Sequence, residues 1–514
     1  MIPGLAFPPV LETLVSFLAK EKQIYLVGGA VRDAVLGRES HDLDFVMPEG
    51  AGQTARKVAN VLNGAFYMLD EERDTARVVY QSDNGLPYTL DFSVFRGRGL
   101  EADQIGRDFT INALAIDLQE PGKILDPLNG LDDLQAGLLR ACAPSSFNDD
   151  PVRILRGVRL SLSLNFAILP ETMSAMSQAV NNLPNTSPER QRDELFRILE
   201  GIRVNPAVRM LDQLGVIRLI LPEVDSLKKV SQSSPHQLDV WEHTLLTLAE
   251  LEDLLENLPG KNGVVGAVSP NPAILLAVSK LDRFRSQLAD HFEVGLTTGR
   301  SRRGLLFLAA LFHDIGKPVS RQELDSGKVT FHGHERSGIP IMLNRMQALT
   351  FSLAELEYVK TVIKQHMRLH FMVDEGLLPR RRTIYRFFRD SGLVGVDICL
   401  LSLADTLATY GDTLPHEKWV AELEVCVTLL EAWWERQNDV IRPLRLLTGF
   451  DLQEKFGLKP GPLIGRLLSA LEEAQASGEI VDQSAALLFV QRWLEQNADK
   501  AFAAGIEVDD WRRE

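Results

Sequence analysis

Residues 24–49 read IYLVGGAVRDAVLGRESHDLDFVMPE, and the order of residue types in this stretch decides the fold. Ile24 to Val27 is a short apolar run with strand character, Gly28-Gly29 opens a turn, and Ala30 to Leu36 has the pattern of the first turns of a helix. Strand, glycine turn and helix start together form a phosphate cradle. Two glycines let the backbone approach an anion, the helix N–H groups point at it, and Arg32 can add a charge-assisted contact. In His41-Asp42-Leu43-Asp44-Phe45-Val46 two carboxylates alternate with apolar residues. Positions two apart on a strand share a side, so Asp42 and Asp44 would meet one cation while Leu43 and Phe45 enter the core. Hard oxygen ligands joined by substrate phosphates suit Mg2+. Taken singly, a Gly-Gly pair is more often a plain turn and Asp-x-Asp a solvated strand end.

Outward from this stretch, Thr54 to Asn63 reads as a helix, and Ala65 to Met68, Ala76 to Gln81 and Tyr88 to Val94 as strands. The last carries Asp91, a candidate for the third carboxylate that two-metal phosphoryl transfer needs. Residues 103–117, DQIGRDFTINALAID, switch to a helix-like apolar pattern with Asp108 near its start. Asp150 and Pro151 read as cap and first residue of a helix running through Arg153 and Arg156. Cytosine and adenine both present an amino donor beside a ring-nitrogen acceptor, the reverse of uracil and guanine. A carboxylate beside an arginine, Asp150 with Arg153 one turn on, therefore matches C and A; the bland alternative is an ordinary helix ion pair. From Ser187-Pro188 a further helix is expected, with Arg190, Asp193, Glu194 and Arg197 spaced as a self-paired polar face.

The wording GGAVRD…LGR…HDLDF resembles the signature of polymerase-β-like nucleotidyltransferases, and within them the class II tRNA CCA-adding enzymes and bacterial poly(A) polymerases. The resemblance implies an α+β fold: a small mixed-sheet head (1–140), an extended all-α neck with a nucleotide-selecting motif (141–230), an HD domain (231–415) and a helical C-terminal body (416–514). It implies template-independent addition of C and A to tRNA 3′ ends from CTP and ATP, with CC-only or A-only addition and poly(A) synthesis as alternatives. Asp42, Asp44 and Asp91 would be catalytic, the first two holding Mg2+. Gly28, Gly29, Arg32, Arg107, Asp108, Asn112, Asp150, Arg153 and Arg156 would bind nucleotide. The family's motif Arg-Arg-Asp-Phe-Thr-x-Asn-Ala is matched from Arg107 onward, but Gly106 stands where its first arginine belongs.

A second set of chemistry follows the polar stretch Ser231 to Pro235. His243 heads one apolar helix, His313-Asp314 ends another, His334 lies in FHGHERSG, His366 in KQHMRLH and Asp405 in LLSLADTLA. A lone histidine on an apolar helix is more often a core residue than a ligand. The set His243, His313, Asp314 and Asp405 resembles the ligands of an HD-domain metal-dependent phosphohydrolase, with His334 and His366 at further positions. Imidazole and carboxylate together admit several divalent metals. Residues 251–303 read as an irregular insertion, and Arg380-Arg381-Arg382 with Arg386 and Arg389 as either a solvated helix face or an RNA contact.

At 514 residues the chain exceeds one core, and 45% hydrophobic with 24% charged residues is ordinary globular composition. No run of some 18 apolar residues and no basic signal start is evident, so a cytoplasmic protein without membrane or protein partner is expected. Cys142, Cys399 and Cys426 read as reduced core residues. A net charge of −15 argues against indiscriminate nucleic-acid coating, though a local basic stripe can still bind RNA.

Overall fold

The computed structural model describes residues 5–18, 23–82, 85–258, 269–296, 299–376 and 378–497. The chain forms two compact units, one of residues 1–198 with 206–220 and one of residues 199–205 with 221–514.

In the first unit, strands β1 (Tyr25–Val27), β2 (Asp42–Met47), β3 (Ala65–Asp70), β4 (Thr75–Gln81), β5 (Pro87–Val94), β6 (Ala115–Asp117) and β7 (Ile124–Leu125) form one mixed sheet in the order β3-β4-β5-β2-β1-β6-β7. β2 and β5 run parallel in register, so Leu43 faces Leu90, Asp44 faces Asp91 and Phe45 faces Phe92. Alternation does the rest: Leu43, Phe45, Leu90 and Phe92 are buried on one side, with the Phe45 and Phe92 rings stacked at 4.8 Å. The parallel pair is connected through helix Ala51–Leu62, whose first N–H groups, on Ala51 and Gly52, donate to the Asp74 carboxylate at 2.8 Å each.

One expectation fails here. The apolar run within 103–117 is not a helix: helix Leu100–Ile105 ends before it, Thr110–Asn112 is a single 3-10 turn, and Ala115–Asp117 is β6, antiparallel to β1. Ala113 to Ile116 are all buried, and a run buried on every side carries no periodicity to separate strand from helix. The neck follows as helices Arg153–Leu164, Pro170–Ala179, Pro188–Glu200 and Val204–Gln213. Gly157 lets the first of these close on the head, since a Cβ there would stand 2.9 Å from the Phe109 ring.

The second unit is helical apart from the short pair Gln322–Glu323 and Val329–Thr330. Helices Val240–Asn257, Arg302–Phe312, Leu353–Gln365 and Gly395–Tyr410 pack together, and Gly304 to Phe312 are buried without exception. The supposed irregular insertion is largely helix, with Val240–Asn257 continuing into it and Pro272–Leu281 and Arg285–Glu293 following; residues 259–268 lie outside the described residues. The run Arg381–Thr413 is long and apolar enough by composition to cross a membrane, but 83% of that window is buried among the other helices. The arginine cluster is tied down. Arg381 pairs with Asp439, and Arg382, Arg386 and Arg389 all reach Glu473, so these guanidiniums join helix Arg381–Ser391 to helix Pro462–Ala476 and their neighbours. Buried Cys399 and Cys426, distant in sequence, are neighbouring thiols.

Replacing Phe92 with Ala removes half of the ring stack and is expected to lower stability of the first unit by about 3–5 kcal/mol. The check is the midpoint of its urea-unfolding transition; an unchanged midpoint contradicts the pairing described.

Candidate active site

β1 delivers Gly28 against the exposed side of β2. Gly28 has φ 78°, and a Cβ there would stand 3.1 Å from Asp44 Oδ2 and 3.2 Å from Arg107 Nη1, so both backbone and space demand glycine. Asp42 and Asp44 lie on the open side of β2, with Asp91 in line with Asp44 on β5. Crowding by protein atoms raises the Asp44 pKa, and Asp91 and Asp42 add to this against the Arg107 and Arg156 charges. A concentration of carboxylates biased in that way is relieved by a divalent cation, and the residues fit one. Asp91 also accepts from Arg77 Nε and Nη2, 2.8 Å each, its register partner on β4.

Arg32 is buried and engaged: its guanidinium donates to both oxygens of Asp33 and, at 2.6 Å, to Asn112 Oδ1. Two of its five N–H groups remain for a phosphate. Asn112 in turn donates to Asp108 Oδ1 at 3.1 Å. Burial works against the Asp108 charge, but ion-paired Arg156 and the donors Asn112 and Phe109 N–H hold its pKa below the usual range. Arg156 and Arg159 both reach Glu194, at 3.8 and 2.8 Å, so that Asp108, Asn112 and Arg156 form one brace from head to neck. Arg107 lies against Asp103 at 2.9 Å.

Asp150 closes the short helix Ser146–Asp149 as its C-cap rather than opening the neck helix, which begins at Arg153 after Val152 and has no side-chain cap. Its Oδ2 pairs with Arg190 at 2.6 Å and more loosely with Arg153 at 3.7 Å, whereas Oδ1 is buried without a partner. It borders a cavity of about 460 Å³ shared with Asp149, Asn182, Thr186 and Arg190. The Arg153 fork donates to the carbonyls of Arg107 and Gly106, at 3.0 and 2.8 Å. The expected self-pairing of Arg190 is thus replaced by the bond to Asp150, while Arg197 does pair with Glu194. Sequence spacing had pointed to neither Arg77 nor Glu194 as a partner of these groups; Asp103, four residues before Arg107, was the one with a local signal.

In the second unit His243, His313, Asp314, His334, His366 and Asp405 converge, all buried. His313, His334 and His366 each donate Nδ1–H to the carbonyl three residues earlier, on Ala310, Phe331 and Ile363. That fixes each ring's orientation and turns its Nε2 inward. His334 Nε2 and His366 Nε2 then stand 3.1 Å apart, and burial and the two neighbouring histidines push the His366 pKa down to about 3. Ring nitrogens at that distance, with His313 Nε2 3.2 Å from Asp314 and His243 Nε2 2.9 Å from Asp405, form two groups that could hold a divalent metal. Three further groups had no role assigned from the sequence. Lys317, one turn after Asp314, pairs with it at 2.6 Å; His370 holds Asp405 Oδ2 at 2.9 Å; His236 stacks on His243. Gln232 and Ser233, in the supposed linker, bond to Lys317 and Val329.

Sheet, cradle and aligned carboxylates define a nucleotidyltransferase, joined here to an HD-type helical unit. Residues 24–140 match the poly A polymerase head domain, 165–228 a probable RNA-binding site of polymerase A, 280–405 the HD domain and 432–490 a putative tRNA nucleotidyltransferase domain 2. An A-adding tRNA nucleotidyltransferase of Deinococcus radiodurans is 31% identical over 92% of this chain and 95% of its own. A CC-adding tRNA nucleotidyltransferase of Thermus thermophilus is 30% identical over 92% and 94%. The fold is shared with a Thermotoga maritima CCA-adding enzyme complexed with tRNA, at a TM-score of 0.57 and 22% identity over 95% and 96% of the two chains. The chain belongs to the tRNA nucleotidyltransferase family.

A Cβ on Gly316 would stand 2.1 Å from the His334 carbonyl oxygen, so Gly316→Ala must displace the turn carrying that ligand. Calorimetric titration of the chelator-treated full chain with Mn2+ or Ni2+ is expected to show tight binding that H313A and G316A both lose while D42A keeps the second-unit site.

Proposed function

We propose that this enzyme adds C and A nucleotides to the 3′ end of tRNA from CTP and ATP, in the cytoplasm. The observation that supports it most is the alignment of Asp42, Asp44 and Asp91 beneath Gly28. The terminal ribose 3′-oxygen attacks the α-phosphorus of the nucleotide, and the bond from that phosphorus to the bridging oxygen breaks, releasing pyrophosphate. Asp42 and Asp44 would hold Mg2+, which when bound neutralises charge developing on the phosphate oxygens. Asp91, clamped by Arg77, faces the attacking hydroxyl. Gly28, Gly29 and the free N–H groups of Arg32 receive the triphosphate, and Asp108, Asn112 and Arg156 keep the pocket wall in place. Asp150 Oδ1, lacking a partner, is an acceptor for the exocyclic amine of C or A, with Arg153 the neighbouring donor. At the HD site, bound metal would supply a hydroxide and neutralise a phosphate, consistent with phosphohydrolase activity.

A narrower reading, CC-only or A-only addition, is favoured by four relatives that each match over 91–92% of the chain, one A-adding and three CC-adding.

Purified enzyme given CTP and ATP is expected to extend a tRNA lacking its terminus by C, C and A, and to leave a generic oligonucleotide unextended. A stop at CC, or extension only of a tRNA already ending in CC, establishes the narrower reading; long A tails on the oligonucleotide establish a poly(A) polymerase. D42A/D44A should reduce incorporation by about a thousandfold or more, with metal-dependent phosphate release at the HD site retained. Incorporation surviving in that variant overturns the assignment of the head.

A further inference from the structure

Arg96 follows β5 on an exposed bend and takes no part in the motifs above. Its Nη1 reaches the Gly106 carbonyl oxygen at 3.4 Å, the long edge of a hydrogen bond, and no carboxylate among the described residues forms an ion pair with it. Asp103, the nearest acid, is already engaged, its Oδ2 by Arg107 and its Oδ1 by the Arg96 backbone N–H. Arg153 Nη2 bonds to the same Gly106 oxygen at 2.8 Å, so the Arg96 and Arg153 guanidiniums are neighbours. Like charges gathered so closely call for an anion.

Gly106 explains the arrangement. Its backbone, at φ −74° and ψ −3°, is ordinary right-handed helix geometry that does not require glycine. A Cβ at 106 would stand 4.0 Å from Arg96 Cβ, so side chains from the two positions leave neighbouring points on the surface. The resembled motif carries an arginine at this position. Arg107, whose charge acts on Arg96, has its Nη1 beside Gly28, which brings one member of the group to the cradle.

We propose that Arg96 is a phosphate-binding residue of this site, bringing from the end of β5 the guanidinium that Gly106 lacks and holding the triphosphate of the incoming nucleotide. The inference rests on the nucleotidyltransferase reading above. A phosphate of the tRNA backbone offers the same chemistry, and the kinetics separate the two sources.

The test compares the full-length enzyme with R96A, R96K and R96A/G106R. R96A is expected to raise KM for CTP and the Kd for inorganic tripolyphosphate, titrated calorimetrically with Mg2+, about tenfold each. KM for tRNA and the melting temperature should stay unchanged. R96K keeps the charge without the fork and should fall between, and G106R in the R96A background should recover much of the loss. Unchanged KM for CTP and unchanged tripolyphosphate binding overturn the proposal; so does an effect confined to KM for tRNA, which assigns Arg96 to the RNA backbone. Failure of the unmodified enzyme to extend tRNA refutes the function reading instead, and the tripolyphosphate titration still decides Arg96.

Discussion

The first unit depends on the in-register parallel pairing of β2 with β5. One set of contacts does two things: on one side Phe45 stacks on Phe92, and on the other Asp44 is held beside Asp91. A slip of one residue in either strand would send its phenylalanine into water and its carboxylate into the core. Burial of large apolar rings therefore supports a gathering of negative charge that would otherwise fly apart. The apolar side is what makes the acidic side tolerable.

The alternation in Asp42 to Val46 was readable because strand geometry has a period of two, and the glycine turn because only glycine accepts the backbone that Gly28 adopts. The partners of those groups were not readable. Arg77 meets Asp91 across a hairpin, and Glu194 gathers Arg156 and Arg159 from another helix, through pairings that no local spacing encodes. Asp150 misled for a related reason. Asp-Pro ahead of an apolar run looks like a helix start, yet a bond to Arg190, forty residues on, draws the carboxylate away from the helix. The stretch after Arg107 misled because complete burial erases the pattern.

In the second unit the metal-ligand set was visible only as a family likeness, since its members are spread from His243 to Asp405. The set has a physical basis in the backbone. His313 and His366 close the C-terminal ends of their helices and His334 opens one, where a ring nitrogen can take a carbonyl left over by the local backbone turn. Each ring is then oriented by its own chain before any ion is considered. Arg381, Arg382, Arg386 and Arg389 are the opposite case: a dense basic run whose composition suggests nucleic acid, but whose acidic partners lie on the C-terminal body and Asp439.

Arg153 grips the peptide carbonyls of Gly106 and Arg107 rather than another side chain. Main-chain oxygens cannot swing aside, so the start of the neck helix and the arginine next to the cradle move as one piece. A displacement of Arg153 is thereby passed on to the backbone of Arg107, whose side chain borders Gly28.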